Sequence, residues 1–177
     1  CTAHLRARRW PGHSAPGDVL LSLEVEWAPT DARVLAREGS HAVTFSWHPA
    51  ALGMPSIRSG QWAPLFAAGS DEEVVLCCHL GSSSKSAMTT LDAPASVPMT
   101  LSSAGTVFTL GDLMWADFWW RFPNLKFALT EGDIGWIPYC VQRPDNITDR
   151  PAGRTQHAFP DSPGPSDVVP ARILLPP

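Results

Sequence analysis

Two short strings constrain this chain more than anything else in it. Val74 to Leu80 (VVLCCHL) is apolar throughout and runs straight into Gly81-Ser82-Ser83-Ser84. Leu125 to Thr130 (LKFALT) runs into Glu131-Gly132-Asp133. Each reads as a strand that ends in polar residues and glycine, and the unbroken first run predicts a strand buried on both faces. Parallel α/β barrels carry their chemistry at such C-terminal strand ends.

The flanking sequence repeats the alternation of strand and helix. Val19 to Trp27 (VLLSLEVEW) and His41 to Ser46 (HAVTFS) predict two more strands. Thr30 can cap a short helix running to about Glu38, with Gly39 ending it. Further helices are expected at Gln61 to Ala68, at Ser103 to Trp120 and from Pro138 onward, with Pro144 interrupting the last one. Gly81 to Pro98 reads as a long Ser/Thr/Pro loop. Four strands joined by helical crossovers imply a parallel sheet. A complete eight-stranded barrel takes about 250 residues, so the expected fold is α/β, a partial TIM-type (β/α) barrel. The expected layout is an irregular segment at 1–18, the barrel domain at 19–150 and a Pro-rich disordered tail at 151–177. Half a barrel has two open edges, so the chain is expected to form a homo-oligomer or to dock on a complementing chain.

Composition narrows the partners. Thirteen basic and 17 acidic side chains leave a net charge of −4, too mild to recruit nucleic acid or an anionic membrane. The apolar share of 44% and eight Trp supply a core, and no stretch nears the ~20 apolar residues of a membrane helix. Cys1, Cys77, Cys78 and Cys140 match neither a disulfide framework nor a Cys-x-x-Cys metal site. They read as reduced thiols of a cytoplasmic protein. No Gly-x-Ser-x-Gly, P-loop or dinucleotide fingerprint is present.

The strand ends hold the candidate chemistry. Side chains alternate along a strand, which puts His79 and Cys77 on one face and Cys78 on the other. His79 in a barrel mouth can bind a metal or move a proton; the competing reading is a hydrogen-bonded core histidine. Glu131 holds the equivalent place on the next strand and can ligate a metal or act as a general base, or else stay solvated. Asp133 can cap the following turn. Ser82, Ser83 and Ser84 can bind an anionic group through hydroxyls and amides, or form only a polar turn. Trp136 and Tyr139 can wall a pocket or fill the core. Arg58 and His48 sit in a loop at another strand end and can meet substrate.

The stretch from His41 to Asp145 resembles the amidohydrolase superfamily, and within it the hydrolase and decarboxylase branch that includes aminocarboxymuconate-semialdehyde decarboxylase. The strings that carry the resemblance are HAVTFS (His41 to Ser46), LGMPSIRSGQW (Leu52 to Trp62), HLGSSS (His79 to Ser84) and RFPNLKFALTEGDIGWIPY (Arg121 to Tyr139). It implies a metal-dependent barrel in which a divalent ion, zinc or alternatively manganese, activates water or polarises a small carboxylated substrate. It also implies His79 as a metal ligand, Glu131 as a ligand or the catalytic carboxylate that orients the bound water, and Ser82 and Ser83 lining the substrate site, which Trp136 would wall. The chain departs from the family at several points. It has no His-x-His and no late-strand Asp context, and Ser46-Trp47-His48-Pro49 and Glu131-Gly132-Asp133 stand where relatives carry Ser-Glu-Asn-Pro and Glu-Gly-Gly. A catalytic zinc takes three protein ligands, so a non-catalytic fragment or a small-molecule binding module is the alternative.

Overall fold

The computed structural model describes Arg33, Ala36, Arg37 and residues 39–83, 87–148 and 164–175. The strand expected at 19–27, most of the helix expected after Thr30, and Ser84 lie outside these residues. Four strands, β1 (Ala42–Ser46), β2 (Val75–His79), β3 (Lys126–Thr130) and β4 (Ile173–Leu174), form one sheet in the order β1-β2-β3-β4. Every pairing is parallel, so all strand ends of one kind gather at one rim. At that rim Ser46, His79 and Thr130 stand in register across the three long strands.

Helices make the crossovers. α1 (Ala63–Asp71) joins β1 to β2. A short α2 (Ser96–Thr100) and α3 (Ala104–Met114) join β2 to β3. α4 (Ile137–Thr148) and α5 (Pro165–Arg172) lie between β3 and β4. This is an α/β layer of a partial barrel. Among the described residues no helix is long and apolar enough to cross a membrane.

The helices cover one face of the sheet. Val43, Phe45, Leu76, Cys78, Phe127 and Leu129 point into a core shared with Leu65 and Phe66 of α1 and Leu110, Leu113 and Met114 of α3. Aromatic rings knit that core: Phe66 lies 5.8 Å from Phe127 and 4.7 Å from Phe118, and Phe45 lies 4.8 Å from Trp62, at tilted or edge-on angles. Such pairs add to the burial energy of their area. Gly69 lets α1 seat closely, since a Cβ there would stand 3.1 Å from the Leu125 side chain and 3.3 Å from the Val74 carbonyl oxygen.

Three expectations need correction. The run VVLCCHL is not buried on both faces. Leu76 and Cys78 are buried while Val75, Cys77 and His79 are only half-buried. Pro144 does not interrupt the last helix. α4 continues through it, since a proline inside a helix removes one backbone bond and distorts the turn without always ending it. Residues 164–175 of the expected tail are ordered. Gly164 and Pro165 open α5, with the Asp167 carboxylate accepting the Gly164 N–H at 2.8 Å. Val168, Val169 and Ile173 then join the core.

Candidate functional site

The rim brings together the two residues singled out at the strand ends. His79 closes β2, Glu131 follows β3, and the imidazole Nε2 lies 3.5 Å from the Glu131 carboxylate. Both side chains are open to solvent, at 41% and 68% exposure, so their attraction adds little to stability. The other ring nitrogen fixes the chemistry. Nδ1 sits 2.8 Å from the Leu80 carbonyl oxygen, which can only accept, so Nδ1 carries the proton. Nε2 then either carries a second proton or turns a lone pair on a carboxylate. The second arrangement is repulsive unless a cation lies between the two.

The loop after β2 is stitched in place by main-chain contacts. The Ser82 hydroxyl donates to the His79 carbonyl oxygen at 2.6 Å and accepts the Trp47 N–H at 3.0 Å. Ser82 therefore ties β1 to β2, and its hydroxyl is committed to backbone groups. Ser83 differs. It is 1% exposed, and among the described residues its hydroxyl has no hydrogen-bond partner. A buried polar group without a partner costs about 1–3 kcal/mol, so Ser83 is the hydroxyl left over for a water or ligand. The Trp47 indole N–H is likewise buried, with no partner among the described residues.

The loop after β3 is strained. Glu131 has φ +62° and Asp133 has φ +54°, both in the left-handed region that residues with a Cβ disfavour. The Trp136 indole N–H donates to the Gly132 carbonyl oxygen at 2.6 Å, and the ring packs on the core edge. Trp136 thus braces this loop. The Asp133 carboxylate accepts from the Ser103 hydroxyl. Ser103 and Thr106 of the α3 region were not singled out in the sequence. The one signal available was Gly132, which presses on Thr106 so closely that a Cβ would meet its side chain at 2.5 Å.

The remaining candidates lie elsewhere. Arg58 is tied to the C-terminal end of α3, donating to the Asp112 carboxylate and to the Asp112 and Trp115 carbonyl oxygens. A guanidinium suits a helix C-terminus, and this bond set takes Arg58 out of the rim pair. His48 is exposed beside the Trp47 ring, and Tyr139 is exposed on α4.

The rim meets part of what a metal needs. Two donors at about 2.1 Å from one tetrahedral ion stand about 3.4 Å apart, close to the observed 3.5 Å. The Nδ1 contact to Leu80 matches the outer hydrogen bond that orients metal-bound histidines. Among the described residues, however, no group of three or more His, Cys, Asp or Glu side chains could hold an ion. The described residues therefore do not make a full catalytic metal site.

No protein-family model matches the sequence, and no curated protein matches it. Solved structures do share the fold. One is an amidohydrolase from Mycobacterium avium subsp. paratuberculosis K-10, with TM-score 0.64 and 14% identity, covering 84% of this chain and 38% of that one. Another is 5-carboxyvanillate decarboxylase from Sphingomonas paucimobilis, with TM-score 0.57 and 17% identity, covering 89% of this chain and 46% of that one. The chain spans less than half the length of either. Its parallel sheet and crossover helices are thus a portion of the barrel fold of these amidohydrolase-type structures.

Proposed function

We propose that the chain carries part of the active site of a metal-dependent hydrolase or decarboxylase acting on a small carboxylated substrate, close to the aminocarboxymuconate-semialdehyde decarboxylase branch. The observation that supports this most is the His79–Glu131 pair at adjacent parallel strand ends, with Nδ1 anchored on Leu80 and Nε2 facing the carboxylate. His79 is the metal ligand. Glu131 is the second ligand or the carboxylate that orients a water. A divalent ion, zinc or manganese, would supply Lewis acidity toward the substrate. No catalytic step is assigned to this chain by itself, because the described donors are two and a catalytic site takes three.

The substrate side follows from the same loops. Ser83 offers a buried hydroxyl without a partner among the described residues, while Ser82 and Trp136 shape the rim around the pair. The open face of the sheet supports a second copy or a complementing chain as the source of the missing wall. Net charge −4 and the absence of a membrane-length helix among the described residues favour a small molecule over nucleic acid or lipid as the ligand.

A second reading has one observation in its favour, the lack of a third donor among the described residues. It makes the chain a non-catalytic relative that keeps the sheet and binds a small molecule without metal. Metal content per chain separates the two. Protein purified without chelator, then titrated with zinc and with manganese, is expected to bind one ion per chain, weakly alone and tightly once a complementing chain is present. Zinc binding that His79→Ala leaves unchanged removes the pair from the site and leaves the second reading.

A further inference from the structure

We propose that Ser103, the residue that opens α3, is a positioning residue that holds Glu131 against His79 through the turn at residues 131–133. This rests on the reading of His79 and Glu131 as a donor pair. The proposal comes from three contacts that converge on one strained turn. Glu131 and Asp133 both sit in the left-handed region, a conformation that persists only where surrounding structure enforces it. The Ser103 hydroxyl donates to the Asp133 carboxylate on one side. The Trp136 indole N–H donates to the Gly132 carbonyl oxygen on the other, at 2.6 Å. Thr106, one turn along α3, lies under Gly132 and leaves no room for a Cβ.

Ser103 gives up something to make this contact. It stands at the N-cap of α3, where a serine hydroxyl ordinarily accepts a hydrogen bond from the helix's own free N–H groups. Here it makes no such cap. Its hydroxyl is diverted to a carboxylate 30 residues away in sequence. The same stretch of α3 also registers the His79 side of the pair. Gly105 packs on the Trp47 ring, Thr109 donates to the Trp47 carbonyl oxygen at 2.8 Å, and the Trp47 N–H reaches Ser82, which bonds the His79 carbonyl oxygen. The opening turns of α3 therefore touch both loops that carry the pair, so a change there alters the spacing between His79 and Glu131 without touching either.

The test uses the full chain and four variants: Ser103→Ala, Ser103→Thr, Trp136→Phe and, as a control for the pair itself, His79→Ala. Two readouts are taken. The first is the intraresidue amide-to-Hα NOE at Glu131 and Asp133 in the metal-free protein, which is strong in the left-handed conformation. The second is the affinity for zinc alone, by calorimetry. Ser103→Ala is expected to weaken both NOEs and lower zinc affinity about tenfold, the usual scale for outer contacts of a metal ligand. Ser103→Thr, which keeps the hydroxyl, restores both, and Trp136→Phe repeats the loss through the second anchor. NOEs unchanged in Ser103→Ala overturn the proposal, whatever zinc does. If zinc fails to bind the wild-type chain, or binds equally well to His79→Ala, the donor-pair reading falls, and the NOEs still decide whether Ser103 sets the turn.

Discussion

Alternate residues of the same strands meet two different environments. Val43, Phe45, Leu76, Cys78, Phe127 and Leu129 face α1 and α3 and are sealed from water. Thr44, Ser46, Val75, Cys77, His79, Ala128 and Thr130 face the other way and stay half-open. The packed face is large, aromatic and branched. The other face is mostly small or polar, and at its rim it carries the histidine that meets Glu131. The period-two alternation of a strand lets one five-residue segment serve both purposes. Stability is invested on one side, which leaves the other free to hold groups that the fold does not need.

That contrast is sharpest at neighbouring positions of β3. Phe127 is fully buried among Phe45, Phe66, Phe118 and Trp119, and Phe127→Ala is expected to remove about 3–5 kcal/mol. Ala128→Ser, one residue along on the open face, is expected to change stability by less than about 0.5 kcal/mol. Urea unfolding of both variants is the check. Similar losses would mean that the open face is covered in solution, by a second copy or by residues outside those described here, and would dissolve the contrast.

A smaller effect tests the junction between the core and the rim. Gly105→Ala places a methyl 2.3 Å from the Trp47 ring, and the ring cannot bend away as a flexible chain would. Overpacking of this kind costs about 1–3 kcal/mol. Because Trp47 also holds Ser82, the variant should disturb the β2 loop as well. Amide shifts of Ser82 and Ser83 that stay fixed in Gly105→Ala would separate the two.

The cysteines compare the faces by pH. Burial pushes the Cys78 thiol far above its ordinary value of 9.0, and Cys77 upward as well. A raised acid favours the folded state only while the unfolded thiol is still protonated. The contribution is therefore complete below pH 9 and is lost as pH climbs above it, at about 1.4 kcal/mol per pH unit for a fully buried thiol. The urea midpoint should fall above pH 9 in the wild type, and fall less steeply in Cys78→Ala than in Cys77→Ala. The reverse order would put Cys78, not Cys77, on the accessible face.

The sequence shows some of this and hides the rest for physical reasons. Strands β1 to β3 are legible because apolar runs bounded by turn residues leave few alternatives, and their C-terminal ends point to His79 and Glu131. β4 is illegible, since a two-residue strand is too short to carry a periodicity. The burial of VVLCCHL is misread because cysteine and valine look apolar on whichever face they stand. Ser103 and Thr106 are invisible because their partners are about 30 residues away and meet them only through packing. Arg58 reads as a loop cation free to meet substrate, yet a helix C-terminus claims it. Its role depends on where α3 ends in space, which no local pattern records.

The smallest expected effect carries the sharpest distinction between the faces. Glu131 holds a left-handed backbone that glycine adopts freely, and its contact with His79 is exposed and worth little to the fold. Glu131→Gly is therefore expected to leave the chain about 0.5–1 kcal/mol more stable, while zinc affinity falls at least as far as in His79→Ala. A gain in stability joined to a loss of binding is the mark of a residue kept for its site at the fold's expense. Thermal unfolding and zinc calorimetry on the same preparation decide it. If Glu131→Gly destabilises the chain, the turn belongs to the packed face's economy, and the division between a structural face and a chemical rim fails at the residue where it should be clearest.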